Sequence, residues 1–337
     1  MAPERFSLVL EFSMIHGDVR RAALERWLSL RIDLPFRLTP ASEDASFRRY
    51  WRATLEDGES YVAMDAPPDK EDCRPFVRIA RMLTAAGVHA PEVIAQDLDQ
   101  GFLLLSDLGS RSYLGALDDT NADALFADAT EALLRWQLAT QPGELPPYDE
   151  ALLRREMNLF PEWYVGRHLK KELSSAQKER LESVFVVLVK SALAQPEVYV
   201  HRDYMPRNLM VCEPNPGVLD FQDAVLGPVT YDVVSLVRDA FISWEEERVL
   251  DWVVRYWEKA RSRGLPVAAD FGEFWRALEW IGLQRHLKVL GIFARINYRD
   301  GKPRYLQDTP RFIAYARSVS QRYRELAPLA RLLDELE

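Results

Sequence analysis

Only two cysteines, Cys73 and Cys212, occur in 337 residues, far apart and in no metal-binding or redox spacing. That excludes a disulfide framework, a thiolate zinc site and a CxxC centre, and leaves a reducing, cytoplasmic compartment as the expectation. The chain has no apolar run long enough to span a membrane. The short apolar stretch Met1 to Phe12 lacks a basic leader and a small-residue cleavage site, so no signal peptide is expected. Repeats and low-complexity tracts are absent. Positive charge is in deficit, with 43 Lys and Arg against 52 Asp and Glu and a net charge of −9. This argues against a nucleic-acid or anionic-membrane partner. Nothing in the chain points to a protein partner. What remains is an ordinary globular composition, 48% hydrophobic and 28% charged, long enough for two lobes with separate cores.

Periodicity divides the chain into two kinds of segment. Asp18 to Leu30 reads as an amphipathic helix. From Phe36 to Leu105 strands dominate. Phe47 to Arg52 and Tyr61 to Met64 flank a turn at Glu56-Asp57-Gly58, and Val93 to Gln96 and Phe102 to Leu105 follow a short helix at Pro75 to Ala86. Beyond Ser106-Asp107-Leu108-Gly109 the pattern turns helical. Asn121 is placed to cap a helix to about Ala139, and Ser174-x-x-Gln177 is a capping box opening another to about Ala194. Asp232 to Phe241, Glu245 to Arg261, Asp270 to Tyr298 and Pro310 to Arg324 also carry helical spacing. The expectation is an α+β chain of bilobal, protein-kinase-like plan, with a sheet-rich lobe over residues 1–105 and a helical lobe over 106–337.

The helical part contains His201-Arg202-Asp203-Tyr204-Met205-Pro206-Arg207-Asn208, and Asp220-Phe221-Gln222-Asp223 follows Asn208 by twelve residues. H-R-D-x-x-x-x-N plus a further carboxylate is the set needed to move a phosphoryl group from ATP to a hydroxyl. Asp203 accepts the acceptor's proton. Asn208 and Asp220 supply hard oxygen ligands to Mg²⁺, which uses few protein ligands. Leu209-Met210-Val211, a turn at Pro214 to Gly217, and Val218-Leu219 read as a hairpin that returns Asp220 toward Asn208.

These residues, with Leu219 to Ala224 and Tyr231 to Leu236, resemble the aminoglycoside phosphotransferase and choline kinase-like family. Asp44-Ala45-Ser46-Phe47-Arg48-Arg49-Tyr50, Met64 to Pro68, His201 to Met210, Leu219 to Gly227 and Gln284 to Lys288 are closer to a bacterial branch of anomeric sugar kinases. The likeness runs from about Leu38 to Ile313. It implies ATP- and Mg²⁺-dependent phosphorylation of the anomeric hydroxyl of N-acetylmuramate and N-acetylglucosamine. That reaction belongs to peptidoglycan recycling toward UDP-N-acetylmuramate, a route that blunts fosfomycin. The alternatives are a kinase of another small alcohol, of the aminoglycoside, choline or homoserine type, or a nucleotide-binding pseudokinase.

The resemblance also implies roles. Asp203 matches the base, and Asn208 and Asp220 match the metal ligands. Ala45, Ser46 and Phe47 match the turn over the phosphates, and Ser106, Asp107 and Leu108 match the segment that meets adenine. His201 and Asp232 match structural supports of the catalytic loop, although Asp232 is equally suited to capping the helix that follows. One departure is clear. The family strand reads Val-x-Lys, whereas Val62-Ala63-Met64 stands here, and the helix Pro75 to Ala86 has no acid. Arg48 and Arg52, on one face of the preceding strand, are the candidate replacements, or else a solvated strand face.

For the acceptor, Arg285, Lys288, Arg295 and Arg299 fall on one stripe of an otherwise apolar helix. They either pair with the protein's own acids or, for one or two of them, receive the lactyl carboxylate of N-acetylmuramate. Arg207 and Asp223 are further substrate candidates, with loop capping as the other role for Asp223. His286, Trp163 and Tyr164 read first as core residues.

Overall fold

A computed structural model describes residues 19–42 and 47–336. Asp18, Ala45, Ser46 and the stretch Met1 to Phe12 therefore lie outside the described residues. The chain forms two compact units. The first contains the described residues up to Ala85 together with His89–Arg111 and Met210–Gln222. The second contains Ala86–Val88, Ser112–Leu209 and the chain from Asp223 onward.

In the first unit, helix α1 (residues 19–29) precedes strands β1 (Phe36–Ser42), β2 (Arg49–Leu55) and β3 (Ser60–Asp65). Helix α2 (Arg74–Ala85) and strands β4 (Val93–Asp97) and β5 (Phe102–Ser106) follow. The sheet is antiparallel, in the order β1-β2-β3-β5-β4. Gly58, at φ 91°, makes the expected turn between β2 and β3, which puts Arg52 opposite Val62 and Tyr50 opposite Met64.

Strand alternation then sorts the β2 side chains. Trp51 packs with Leu24, Trp27 and Leu28 of α1 against Leu38, Ala53, Leu55, Ala63, Phe102 and Leu104. Each large apolar side chain buried here contributes about 1.5–3 kcal/mol. Arg49, on the same face as Trp51, pairs with Asp65. That carboxylate is buried and also accepts from Arg20 Nε at 2.8 Å and Nη2 at 2.5 Å. The sequence reading left Asp65 unassigned, yet it ties α1 to the sheet.

The second unit is helical, with α3 (Tyr113–Ala116), α4 (Ala122–Leu138), α5 (Glu150–Met157), a π-helical segment at Phe160–His168, and α6 (Ser175–Leu193). Strand β6 (Glu197–Val200) leads into the loop that carries Asp203, and the two-residue strands β7 (Leu209–Met210) and β8 (Gly217–Val218) pair after it, with Met210 and β8 counted in the first unit. Strand β9 (Val225–Pro228) returns to β6, with Val200 opposite Val225. Helices α7 (Tyr231–Val237), α8 (Glu246–Ser262), α9 (Phe271–Asp300), α10 (Thr309–Arg322) and α11 (Ala327–Leu336) complete the unit.

The capping box at Ser174 and Gln177 forms as expected. Asn121 occupies the N-cap position of α4, but its side chain turns back to Asp118 N and Ala116 O. Helix α7 stops short of the expected Phe241 because the Asp239 carboxylate accepts from Phe241 N, a local turn that competes with the helix. In α9, every residue from Ile281 to Leu290 is buried, so its polar side chains must find partners inside the protein. Among the described residues, no helix is long and apolar enough to cross a membrane.

Candidate active site

The loop after β6 is shaped by one buried carboxylate. Asp232, in the first turn of α7 and wholly buried, accepts from His201 N at 2.6 Å and from Arg202 N at 3.0 Å. Those bonds hold Arg202 at φ 76°, a left-handed conformation that costs an L-residue on the order of 1–2 kcal/mol. Burial pushes the Asp232 carboxyl up to about 7, against the pull of the two amides.

Asp203 N donates to His201 Nδ1 at 3.3 Å, and the His201 ring meets Tyr204 edge-on. Tyr204 anchors the loop to α4 through a 2.7 Å bond from its hydroxyl to Ala129 O. The Asp203 backbone oxygen accepts from Asn208 Nδ2 at 2.9 Å and from Met205 N at 3.0 Å. Of the Asn208 side-chain atoms, Oδ1 is the one with lone pairs to offer a cation. The loop thus holds Asp203 between left-handed Arg202 and the Asn208 amide, all within the second unit.

The Arg202 side chain reaches a buried polar cluster. Its Nη2 donates to Glu156 Oε1 at 2.5 Å, and its Nη1 to Asp223 O at 3.3 Å. Lys288 Nζ lies 3.0 Å from the same Glu156 oxygen and 3.1 Å from Tyr231 OH. Glu156 Oε2 accepts from Tyr148 OH and, at 3.2 Å, from Gln284 Nε2. Burial pushes the Glu156 carboxyl up, but Lys288 and Arg202 outweigh it and hold it down at about 2.

The members of the basic stripe have different surroundings. Lys288 is bound to Glu156, and exposed Arg299 pairs with Asp300 at 2.7 Å. Arg285 is buried with Nη2 3.8 Å from Met205 Sδ, and its Nη1 has no hydrogen-bond partner among the described residues. Half-buried Arg295 likewise leaves Nε without a partner. Arg207 lies 5.2 Å over the Phe241 ring and bonds to the Tyr305 hydroxyl, while Asp223 is exposed. His286 is buried against Phe312 and Tyr315, and Tyr164 stacks on Phe160. Trp163 is half-buried beside it in the π-helical segment.

In the first unit, Asp220 follows β8 in a left-handed conformation, φ 63°, and its Oδ1 accepts from Gln222 Nε2 at 2.8 Å. Phe221 beside it is buried against Phe76 of α2, with ring centroids 4.7 Å apart. The hairpin is attached to this unit by Val218 N on His89 O and Val211 N on Arg111 O.

Two nucleotide candidates meet each other. Arg52 grips Asp107 through Nε at 2.5 Å and Nη2 at 3.0 Å and also donates to Gly109 O, while Ser60 donates to Asp107. Ser106 joins β5 to Glu92 through its amide and its hydroxyl oxygen, Leu108 is buried, and Phe47 is exposed. The charge of Arg48 reaches the Cys73 thiol, which burial raises to about 11. Met64, standing where the family has lysine, is fully buried. Helix α2 carries no acid in its first turn.

A sheet unit of five antiparallel strands, a helical unit and this loop define the α+β protein-kinase-like fold. Residues 37–271 match the phosphotransferase enzyme family, and the chain belongs to it. It is 58% identical over 302 residues to the N-acetylmuramate/N-acetylglucosamine kinase of Pseudomonas aeruginosa, covering 90% of this chain and 89% of that one. To the protein of the same name in Pseudomonas putida it is 55% identical over 335 residues, covering 96% and 98%. A crystal structure of a putative aminoglycoside phosphotransferase from Ralstonia eutropha shares the fold with TM-score 0.60 at 15% identity, covering 94% of this chain and 98% of that one.

Proposed function

We propose that this chain transfers the γ-phosphoryl group of ATP to the anomeric hydroxyl of N-acetylmuramate and N-acetylglucosamine, giving the sugar 1-phosphates. The observation that carries this reading is the 58% and 55% identity to kinases of that name over nearly whole chains. The ordered Asp203 loop supports it. A cytosolic donor fits a cytoplasmic setting, and the product suits wall-sugar recycling.

In this reading the sugar hydroxyl gives its proton to the Asp203 carboxylate as its oxygen bonds to the γ-phosphorus and the bond to ADP breaks. The anomeric hydroxyl is more acidic than an ordinary alcohol, so a carboxylate base suffices. Asn208 and Asp220 are the residues that would hold Mg²⁺, which when bound neutralises triphosphate charge. Their oxygen donors fit such an ion.

Phe47, Arg48, Arg52, Ser106, Asp107 and Leu108 are the nucleotide-side candidates among the described residues. Arg52 already holds Asp107 and Gly109 O through Nε and Nη2. Arg207, Asp223, Arg285 and Lys288 are the acceptor-side candidates, and buried Arg285 has an unused Nη1 to offer a carboxylate. Phosphorus NMR of the product with N-acetylmuramate tests the reading. The sugar 1-phosphate is expected, and no turnover of the 1-O-methyl glycoside. A sugar 6-phosphate, or phosphorylation of the glycoside, overturns the anomeric assignment.

A further inference from the structure

Glu156 was not singled out by the sequence, and the transfer reaction gives it no direct part. Its carboxylate is nevertheless fully engaged, and its four donors come from three places in the second unit. Tyr148 precedes α5, Arg202 belongs to the catalytic loop, and Gln284 and Lys288 lie one turn apart on α9. Glu156 is 5% exposed and Lys288 7%. Two cations therefore share one buried anion, Lys288 from within the core and Arg202 with its side chain 18% exposed. Without Glu156 that pair would be doubly positive and unneutralised, an arrangement a protein interior does not hold without a new partner. The next anion is close by: both Arg202 and Lys288 already feel the charge of Asp203. Asp223 O and the hydroxyls of Tyr148 and Tyr231 also lie near this pair, and Asp232 accepts from the Arg202 amide.

We propose that Glu156 is a positioning residue for phosphoryl transfer. By holding the Arg202 side chain it sets the left-handed turn on which Asp203 is presented. By holding both cations it keeps them from pairing with the Asp203 carboxylate. Asp232 secures the same turn through the backbone, so the loop is clamped once by its amides and once by its side chain. This inference rests on the reading of Asp203 as the base.

The test compares wild type, E156Q, K288M and E156Q/K288M. Steady-state kinetics with ATP and N-acetylglucosamine, which has no carboxylate, are read beside hydrogen exchange of the peptide covering residues 199–208. E156Q keeps the shape and loses the anion. Its kcat is expected to fall by roughly tenfold or more with the KM for ATP within about threefold, because a cation now occupies Asp203. Amides of the loop should exchange faster while those of α6 and α8 stay protected. Adding K288M removes the surplus cation and should restore a large part of the kcat lost in E156Q, with the KM for ATP unchanged throughout, a split that a general loss of folding stability does not produce.

A kcat for E156Q within about threefold of wild type overturns the proposal, as do losses that merely add in the double variant. If E156Q does not fold, R202K tests the same clamp from the loop side, with the same kcat loss expected and the same threshold for rejection. If wild type phosphorylates no sugar, the reading of the active site fails. Unchanged loop exchange in E156Q is the separate outcome that rejects the clamp.

Discussion

At the residue scale, the proposed reaction gives the residues of the Asp203 loop different tasks, some chemical and some supporting. Asp203→Asn preserves size and hydrogen bonding but cannot take a proton, so kcat should fall about 10²- to 10⁴-fold with ATP and sugar affinity within a few-fold. Retention of more than about a tenth of wild-type kcat would remove Asp203 from that role. The two proposed metal ligands differ in charge. Asp220→Ala removes a full charge from a hard cation and Asn208→Ala only a dipole, so calorimetric titration of MgATP should show the larger loss for Asp220→Ala. Equal losses would count against the pair as ligands. Asp203, Asn208 and Asp220 stand out in the sequence because phosphoryl transfer calls for these residue types at this spacing, and these variants test the roles proposed for them. Glu156 does not stand out, because Arg154-Arg155-Glu156 has the look of a solvated charge run. Only the fold brings Arg202 and Lys288 to it. The missing strand lysine was legible as an absence, and Met64, fully buried, leaves no cation in that place.

At the element scale, local signals located most of the helices and strands. Gly58 fixed the β2–β3 turn, Ser174 and Gln177 opened α6, and left-handed Gly301 closes α9. Helix α5, the π-helical segment and α11 were missed, since tertiary packing rather than periodicity or capping makes them. The π-helical segment lies against α9 so tightly that a Cβ on Gly291 would fall 2.3 Å from the carbonyl carbon of Leu159. An alanine in mid-helix ordinarily stabilises by up to about 1 kcal/mol over glycine. Here the steric cost should win, because the obstacle is backbone and cannot rotate away. Gly291→Ala is expected to destabilise by about 1–3 kcal/mol, seen as a lower Tm. A Tm equal to or above wild type would mean that the two elements do not approach so closely.

For the whole molecule, the buried acids of the helical unit pull stability in opposite directions with pH. The Asp232 carboxyl is raised to about 7 by burial, so its contribution is fully present below its unfolded value of 3.8 and is lost as pH rises through 7. Glu156 is lowered from 4.5 to about 2, so its contribution is present above 4.5 and is lost as pH falls toward 2. A shift of that size corresponds to about 3 kcal/mol, of which roughly 2 should disappear between pH 5 and pH 3. Urea unfolding of wild type and E156Q at those two pH values reads the Glu156 part, because the carboxylates away from the Arg202 and Lys288 cluster titrate alike in both proteins. The stability advantage of wild type should shrink by about 2 kcal/mol on acidification. Glu335 is also held near 2, but it sits at the surface beside Arg180, where solvent screens the pair, and it should not contribute to this difference. An advantage that stays constant from pH 5 to pH 3 would mean that Arg202 and Lys288 do not hold Glu156 ionised, and the charge balance around the catalytic loop would have to come from elsewhere in the helical unit.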